Sequence, residues 1–145
     1  MRVAVDSSAM AKRHIQETGT EQVLRRLAEA DEVVVSILVV PEIASALNRR
    51  RREGAISHAQ YEAHMRDVRE DIPGMRILEL SEAVVRRAIA CLERAPLRAS
   101  DAIHVATALE AGVDRLVTAD RRQIEAAKAM GLRVEPVGQA RRRTR

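Results

Sequence analysis

The sequence predicts an α/β fold in which helices cover both faces of a parallel β-sheet. Short apolar runs rich in valine, isoleucine and leucine alternate with longer segments whose apolar residues recur at helical spacing. Strands that alternate with helices favour parallel pairing, and continuously apolar runs are typical of strands buried on both faces. Five strands are predicted, at residues 3–5, 33–35, 77–78, 116–117 and 134–137.

The first three helices are predicted from start and stop signals. Ser7 and Ser8 suit a helix start, and Gly19 separates that helix from an amphipathic one over residues 20–30. Pro41 fits the first turn of a third helix, where its missing N–H costs nothing. The first and third helices each follow a predicted strand, so both are expected to begin near the carboxyl end of the sheet.

The later helices are predicted in the same way. Ser57 and Gln60 form a capping-box pattern for a fourth helix, and the Pro73-Gly74 turn follows it. The segment 100–111 is apolar almost all round, which predicts a buried helix that ends at Gly112. The other predicted helices are 81–95 and 120–130.

Composition favours a single soluble domain over residues 1–138, followed by a basic tail over 139–145. No apolar run reaches the roughly 18 residues of a membrane span. The chain opens directly into a strand without a signal peptide, and its one cysteine, Cys91, cannot form an internal disulfide. We therefore expect a reducing, cytoplasmic setting with no membrane attachment.

The basic charge is concentrated at the C-terminal end. Four of the 25 lysines and arginines lie in the tail, which leaves 21 basic residues against 21 acidic ones in the rest of the chain. We expect the tail to be unstructured. It is either a solvated end or a basic segment that attracts RNA in a salt-sensitive way. Since Tyr61 is the only aromatic residue, any RNA contact should use phosphates more than base stacking.

Four acidic residues stand where a strand gives way to a helix or where a helix begins: Asp6, Glu42, Asp101 and Asp120. The carboxyl ends of parallel strands share one edge, which is where ligands bind. Carboxylates gathered there would repel one another, and Mg²⁺ or Mn²⁺ would relieve the repulsion. Such a site supports hydrolysis of phosphodiester bonds. Taken singly, each acid also has a structural interpretation as a helix cap or a first-turn charge.

Other polar residues stand beside these acids. Ser8 and Thr118 can orient a carboxylate or a metal-bound water, or can simply cap a helix. His104 follows Asp101 by one helical turn and is either a packed histidine or part of a cleft. Arg49 is a possible contact for RNA phosphate, or a cation favoured at the end of its helix. Asp114 precedes a strand, so it is expected at the opposite edge.

Four segments of the chain together resemble the motifs of the PIN-domain family, and most closely the VapC-type ribonuclease toxins of type II toxin–antitoxin pairs. The segments are VAVDSSAMAKRH, VPEIASALNR, LRASDAIHVATAL and LVTADRRQIEAAKAMGLRV, and the resemblance spans about residues 2–137. It implies a three-layer α/β/α sandwich around a mainly parallel five-stranded sheet. It also implies a nuclease that uses Mg²⁺ or Mn²⁺ to cut tRNA, rRNA or mRNA.

The resemblance assigns roles to particular residues and partners. Asp6, Glu42, Asp101 and Asp120 become the catalytic, metal-binding acids, and Ser8 and Thr118 become supporting residues. A homodimer and a small cognate antitoxin are implied as well. The arginine tail is not part of the family pattern.

Two other functions compete with a nuclease. One is a PIN-like module that binds a partner and has little or no catalysis of its own, although acids at all four positions count against it. The other is a phosphate-accepting receiver domain, which pairs two acids after its first strand. Asp6 has no such acidic neighbour.

Overall fold

The structure, a computed structural model, describes residues 1–138 and has a wholly parallel five-stranded sheet at its centre. The five predicted strands are all confirmed. The strand order is β3-β2-β1-β4-β5, so β1 is central and the chain adds strands first on one side and then on the other. The strands are β1 (Arg2–Val5), β2 (Glu32–Ser36), β3 (Arg76–Leu78), β4 (Arg115–Thr118) and β5 (Val134–Pro136).

Among residues 1–138, seven α-helices connect and cover the strands. They are α1 (Ser7–His14), α2 (Thr20–Glu29), α3 (Val39–Arg52), α4 (His58–Asp71), α5 (Glu82–Arg94), α6 (Ala99–Ala111) and α7 (Arg121–Ala129). Two boundaries differ from expectation. The helix α3 begins two residues before Pro41, which still lies in its first turn, and Pro73 and Gly74 belong to a short 3-10 helix, Ile72–Gly74.

The alternation of side chains along the strands builds two apolar cores, one on each face of the sheet. In β1, Val3 and Val5 pack against the layer formed by α1 to α4, whereas Ala4 packs against the layer formed by α5 to α7. Successive side chains of a strand point to opposite faces, so a wholly apolar strand needs both layers. The predicted three-layer α/β/α sandwich is confirmed.

Local signals place several of the helix ends. The capping box of Ser57 and Gln60 is present at the start of α4, and Gly112 closes α6 in the left-handed conformation at φ 62°. Cys91 is buried in the core, as its apolar neighbours predict. Within the described range, no helix combines the length and the apolar character needed to cross a membrane. The predicted basic tail over 139–145 lies outside the described residues.

Candidate active site

A crevice opens where the strand order reverses, between the carboxyl ends of β1 and β4. The helices α1 and α7 begin at these two strand ends, and their N-caps are Asp6 and Asp120. Thr118 is the last residue of β4. Three of the residues singled out in the sequence therefore meet at one crevice.

Asp6 is buried, with 1% of its surface exposed. Its carboxylate accepts a hydrogen bond from the Ala9 N–H at 3.0 Å and lies 2.9 and 2.7 Å from the Ser8 Oγ through its two oxygens. Burial raises the pKa of Asp6, and the electrostatic interaction with His104 and the hydrogen bonds oppose that rise. A buried carboxylate of this kind gains from any cation that can reach it.

Ser8 and Thr118 join the ends of β1 and β4. The Ser8 Oγ accepts a hydrogen bond from the Ala119 N–H at 3.0 Å and lies 3.5 Å from the Thr118 Oγ1. The Thr118 Oγ1 in turn accepts from the Asp120 N–H at 3.0 Å. Two hydroxyls therefore link the Asp6 carboxylate to the backbone of residues 119 and 120.

Asp101 reaches the same region from the first turn of α6. Only 5% of its side chain is exposed, and the Gln123 Nε2 donates to its Oδ1 at 3.0 Å. Gln123 belongs to α7, which begins at Asp120, so this bond ties the third acid to the fourth. The sequence left the edge for Asp101 open, and the packing of α6 against α7 decides it.

Glu42 extends from α3 to the other side of the crevice. Its Oε1 lies 2.7 Å from the Nε2 of His104, a buried side chain on α6 that also lies 3.2 Å from the Ser7 Oγ. About a third of the Glu42 side chain is exposed. His104 is thus both a packed histidine and a part of the site, which combines the two interpretations of its position.

Each of the four carboxylates is held by hydrogen bonds to protein groups. No three acidic, histidine or cysteine side chains among residues 1–138 lie close enough together to hold a metal ion. The donor chemistry nevertheless fits a hard divalent cation, because the site offers carboxylate and hydroxyl oxygens. In addition, the Gln123 Oε1 is buried beside Asp101 without a hydrogen-bond partner in the described residues.

Arg98 lies over these acids at the N-cap of α6. Its Nε donates to the Asp101 Oδ2 at 3.1 Å, and 71% of its side chain is exposed. The hydrogen bond and the charge of Asp101 raise the pKa of Arg98, and the charges of Asp120 and Glu42 raise it further. One guanidinium is therefore within the field of three of the four acids.

The crevice widens into an open cleft of about 500 Å³ with a basic rim. Glu42, Ser7 and Ser8 line the cleft beside the acids. The rim cations are Lys12, Arg49, Arg50 and Arg98. Arg49, the residue proposed to contact RNA, is therefore next to the site. Glu42 is the site acid that lines this cleft, and the cations around it suit a ligand that carries phosphates.

Asp114 lies at the opposite edge of the sheet, as its position before β4 predicts. It is exposed, and its Oδ2 accepts a hydrogen bond from the N–H of Arg2, the first residue of β1, at 2.6 Å. It plays no part in the cleft.

The sequence model of the PIN domain matches residues 3–129. The chain belongs to the PIN-domain family. Within that family it resembles the VapC-type proteins. Ribonuclease VapC49 of Mycobacterium tuberculosis is 32% identical over 136 residues, which are 92% of this chain and 94% of the relative. Ribonuclease VapC3 of Pyrobaculum aerophilum is 27% identical over 125 residues, which are 86% of this chain and 94% of the relative.

Solved structures show the same fold at lower identity. FitAcB from Neisseria gonorrhoeae superposes with a TM-score of 0.72 at 18% identity, over 91% of this chain and 95% of that one. VapC20 of Mycobacterium tuberculosis, described as a sarcin-ricin loop cleaving toxin, superposes with a TM-score of 0.65 at 21% identity. It covers 86% of this chain and 94% of the other. The PIN fold is therefore common to all three.

Two residues that bond Asp101 in this PIN domain were not singled out from the sequence as site residues: Arg98 and Gln123. Gln123 lies inside a predicted helix, and its bond to Asp101 joins two segments that periodicity does not pair. Arg98 has no preferred role as an arginine that precedes a helix. A cation at a helix N-terminus, where the dipole disfavours it, is the only hint that the sequence contained.

Proposed function

We propose that this PIN domain is the toxin of a toxin–antitoxin pair, an endoribonuclease that hydrolyses RNA with Mg²⁺ or Mn²⁺. The proposal is supported by the positions of Asp6 and Asp120 as the N-caps that follow β1 and β4, and by the hydrogen bond that joins Asp101 to Gln123 of α7. The names of the VapC ribonucleases at 32% identity support the same activity. The choice among tRNA, rRNA and mRNA stays open.

The residues of the chain divide the chemical work. Asp6, Glu42, Asp101 and Asp120 would hold the cation, which supplies positive charge to the phosphate and a nucleophilic water when bound. Ser8 and Thr118 fix the orientation of Asp6 and Asp120 through the bonds described above. His104 keeps Glu42 directed into the cleft from the side of α6. Because these supports are buried or hydrogen-bonded, the acids keep their positions before any ligand arrives.

The cleft matches RNA by its charge and not by stacking. The basic rim, with Arg49 beside Glu42, can hold the phosphates that flank the scissile bond. The lone aromatic side chain, Tyr61, lies on α4, where its ring stacks on His58 and faces the Arg51 guanidinium. We therefore expect RNA to bind with a strong salt dependence and recognition to depend on shape.

An antitoxin and a second copy of the chain complete the proposal. Structural neighbours include a toxin–antitoxin complex from Klebsiella pneumoniae and FitAB bound to a DNA fragment. This likeness supports an antitoxin as the partner. We propose further that the antitoxin is small and blocks the acidic cleft, and that the toxin forms a homodimer. The buried, unpaired Cys91 agrees with a cytoplasmic setting.

Cleavage of structured RNA by the purified protein tests the activity. The assay compares Mg²⁺, Mn²⁺ and EDTA, and it includes Asp6→Asn and Asp120→Asn, because asparagine keeps the N-cap while removing the charge. We expect cleavage with either metal, no cleavage in EDTA, and loss of cleavage in both variants with the fold intact by circular dichroism. Asp114→Asn, at the opposite edge, is the matched control and should cleave normally.

Two results would count against the nuclease. Full activity in Asp6→Asn and Asp120→Asn would remove these acids from the mechanism. If the wild-type protein cleaved no RNA with any metal, the partner-binding module would become the better description.

A further inference from the structure

Arg98 occupies a position that helix energetics do not explain. It is the N-cap of α6 and makes no side-chain capping bond to the helix. A positive charge at a helix N-terminus is unfavourable, because the unpaired N–H groups already carry partial positive charge. The charge of Arg98 therefore destabilises the helix that it precedes, and the ion pair with Asp101 compensates for this effect.

Arg98 forms an ion pair with one of the site acids, Asp101. Among the lysines and arginines of residues 1–138, Arg98 is the one that pairs with any of the four site acids. It pairs with a carboxylate that is 5% exposed while 71% of its own side chain faces solvent. A buried anion thus meets a largely exposed cation at the rim of the cleft.

We propose that Arg98 is an internal counterion that competes with the divalent cation for the site acids. This inference depends on the proposed function, since it concerns the same acids. Without metal, the guanidinium pairs with Asp101. When a divalent cation binds, Arg98 releases Asp101 and is free to pair with an RNA phosphate at the rim.

The exposure of Arg98 makes this exchange easy. The ion pair joins residues three apart on one helix, so breaking it disturbs no packing between elements. The guanidinium of this pair is largely exposed, so a metal with several oxygen ligands can replace it while Arg98 returns to solvent. His104, in contrast, is buried at its bond to Glu42 and is expected to stay in place.

Calorimetric titration of the metal-stripped protein with Mn²⁺ alone, without RNA, tests the proposal. The variants are Arg98→Gln, Arg98→Lys and, as the matched control, Arg49→Gln, which removes the same charge from the same rim. Arg49 makes no ion pair with a site acid in the described part of the chain. We expect Arg98→Gln to bind Mn²⁺ about fivefold more tightly than the wild type. Arg98→Lys should lie between the two, and Arg49→Gln should stay within about twofold.

Several results would overturn the proposal. If both glutamine variants tightened binding equally, the effect would belong to the general field of the rim. An unchanged or weaker affinity in Arg98→Gln, with circular dichroism showing an intact fold, would remove Arg98 from the competition. This failure differs from failure of the proposed function, because the wild type would still bind Mn²⁺ and cleave RNA. If neither wild type nor variant bound Mn²⁺, both proposals would fall.

Discussion

The two edges of the sheet carry similar acids in opposite surroundings. At the amino edge, Asp31 is 80% exposed and pairs with the N-terminal amine, and Asp114 bonds the backbone of β1. At the carboxyl edge, Asp6 and Asp101 are almost fully buried. Their partners there include hydroxyls and amides, which leave much of the negative charge in place.

The direction of the helices explains the difference. In this parallel sheet, α1 and α7 begin at the carboxyl ends of strands, with Asp6 and Asp120 as their N-caps. Helix N-termini stabilise anions through their free N–H groups, so that edge can keep carboxylates without a dedicated cation for each. The comparison teaches that placement, and not residue type, separates a functional acid from a structural one.

The largest expected effect comes from removing one carboxylate charge at each edge, in two separate variants. Asp101→Asn should lower the rate of metal-dependent RNA cleavage by at least about a hundredfold, because it removes an oxygen ligand with its charge. Asp114→Asn should leave the rate within about twofold. The measurement is the initial rate of cleavage at saturating Mg²⁺. Equal losses at the two edges would show that the comparison has no functional meaning.

The next effect concerns the free energy of unfolding in EDTA. Substitution of two acids, Asp6 and Asp71, should change it in opposite directions. Burial raises the pKa of Asp6, so its ionised form costs stability once the pH rises above the ordinary aspartate range. Asp6→Asn removes that cost while keeping the N-cap. We expect it to be more stable at pH 7 by about 1 kcal/mol, or roughly 3 °C in melting temperature.

Asp71 is the structural counterpart. Its two oxygens accept from the Arg13 guanidinium at 2.6 and 2.7 Å, and this bond lowers the pKa of Asp71. Its stabilising contribution is present at neutral pH and is lost as the pH falls through the lowered pKa. Asp71→Asn should therefore cost about 1 kcal/mol at pH 7, after allowance for solvent screening. Thermal melts of both variants from pH 3 to pH 8 check the expected gain of stability in Asp6→Asn and the expected loss in Asp71→Asn. A loss of stability in Asp6→Asn at pH 7 would contradict the prediction for Asp6.

The smallest effect is expected on the rim. Arg49→Gln should raise KM for RNA by about threefold and leave kcat unchanged, because a phosphate contact holds substrate and transition state alike. In a plot of the logarithm of the RNA binding constant against the logarithm of salt concentration, the slope should become shallower by about one unit. This corresponds to the loss of one phosphate contact. A drop in kcat with unchanged KM would instead place Arg49 among the groups that act on the reacting phosphate.

The sequence was sufficient to predict the sheet edge at which Asp6 and Asp120 lie, but not the side-chain contacts across that edge. Asp6 and Asp120 could be placed because each follows a strand, and all carboxyl ends of a parallel sheet share one edge. Asp101 follows no strand, so its position depended on how α6 packs beside α7. His104 looked like a core residue because its helix is apolar all round, and its bond to Glu42 spans 62 positions of the chain. Periodicity carries no information on such a pairing.

The most direct test is a crystal structure of the protein soaked in Mn²⁺, with anomalous scattering used to locate the ion. We predict a peak at the carboxyl edge, bound by Asp6 together with Asp101, Asp120 or Glu42. No peak in that crevice at millimolar Mn²⁺, or a peak only at the edge of Asp31 and Asp114, would contradict the central claim that these acids gather around a divalent cation.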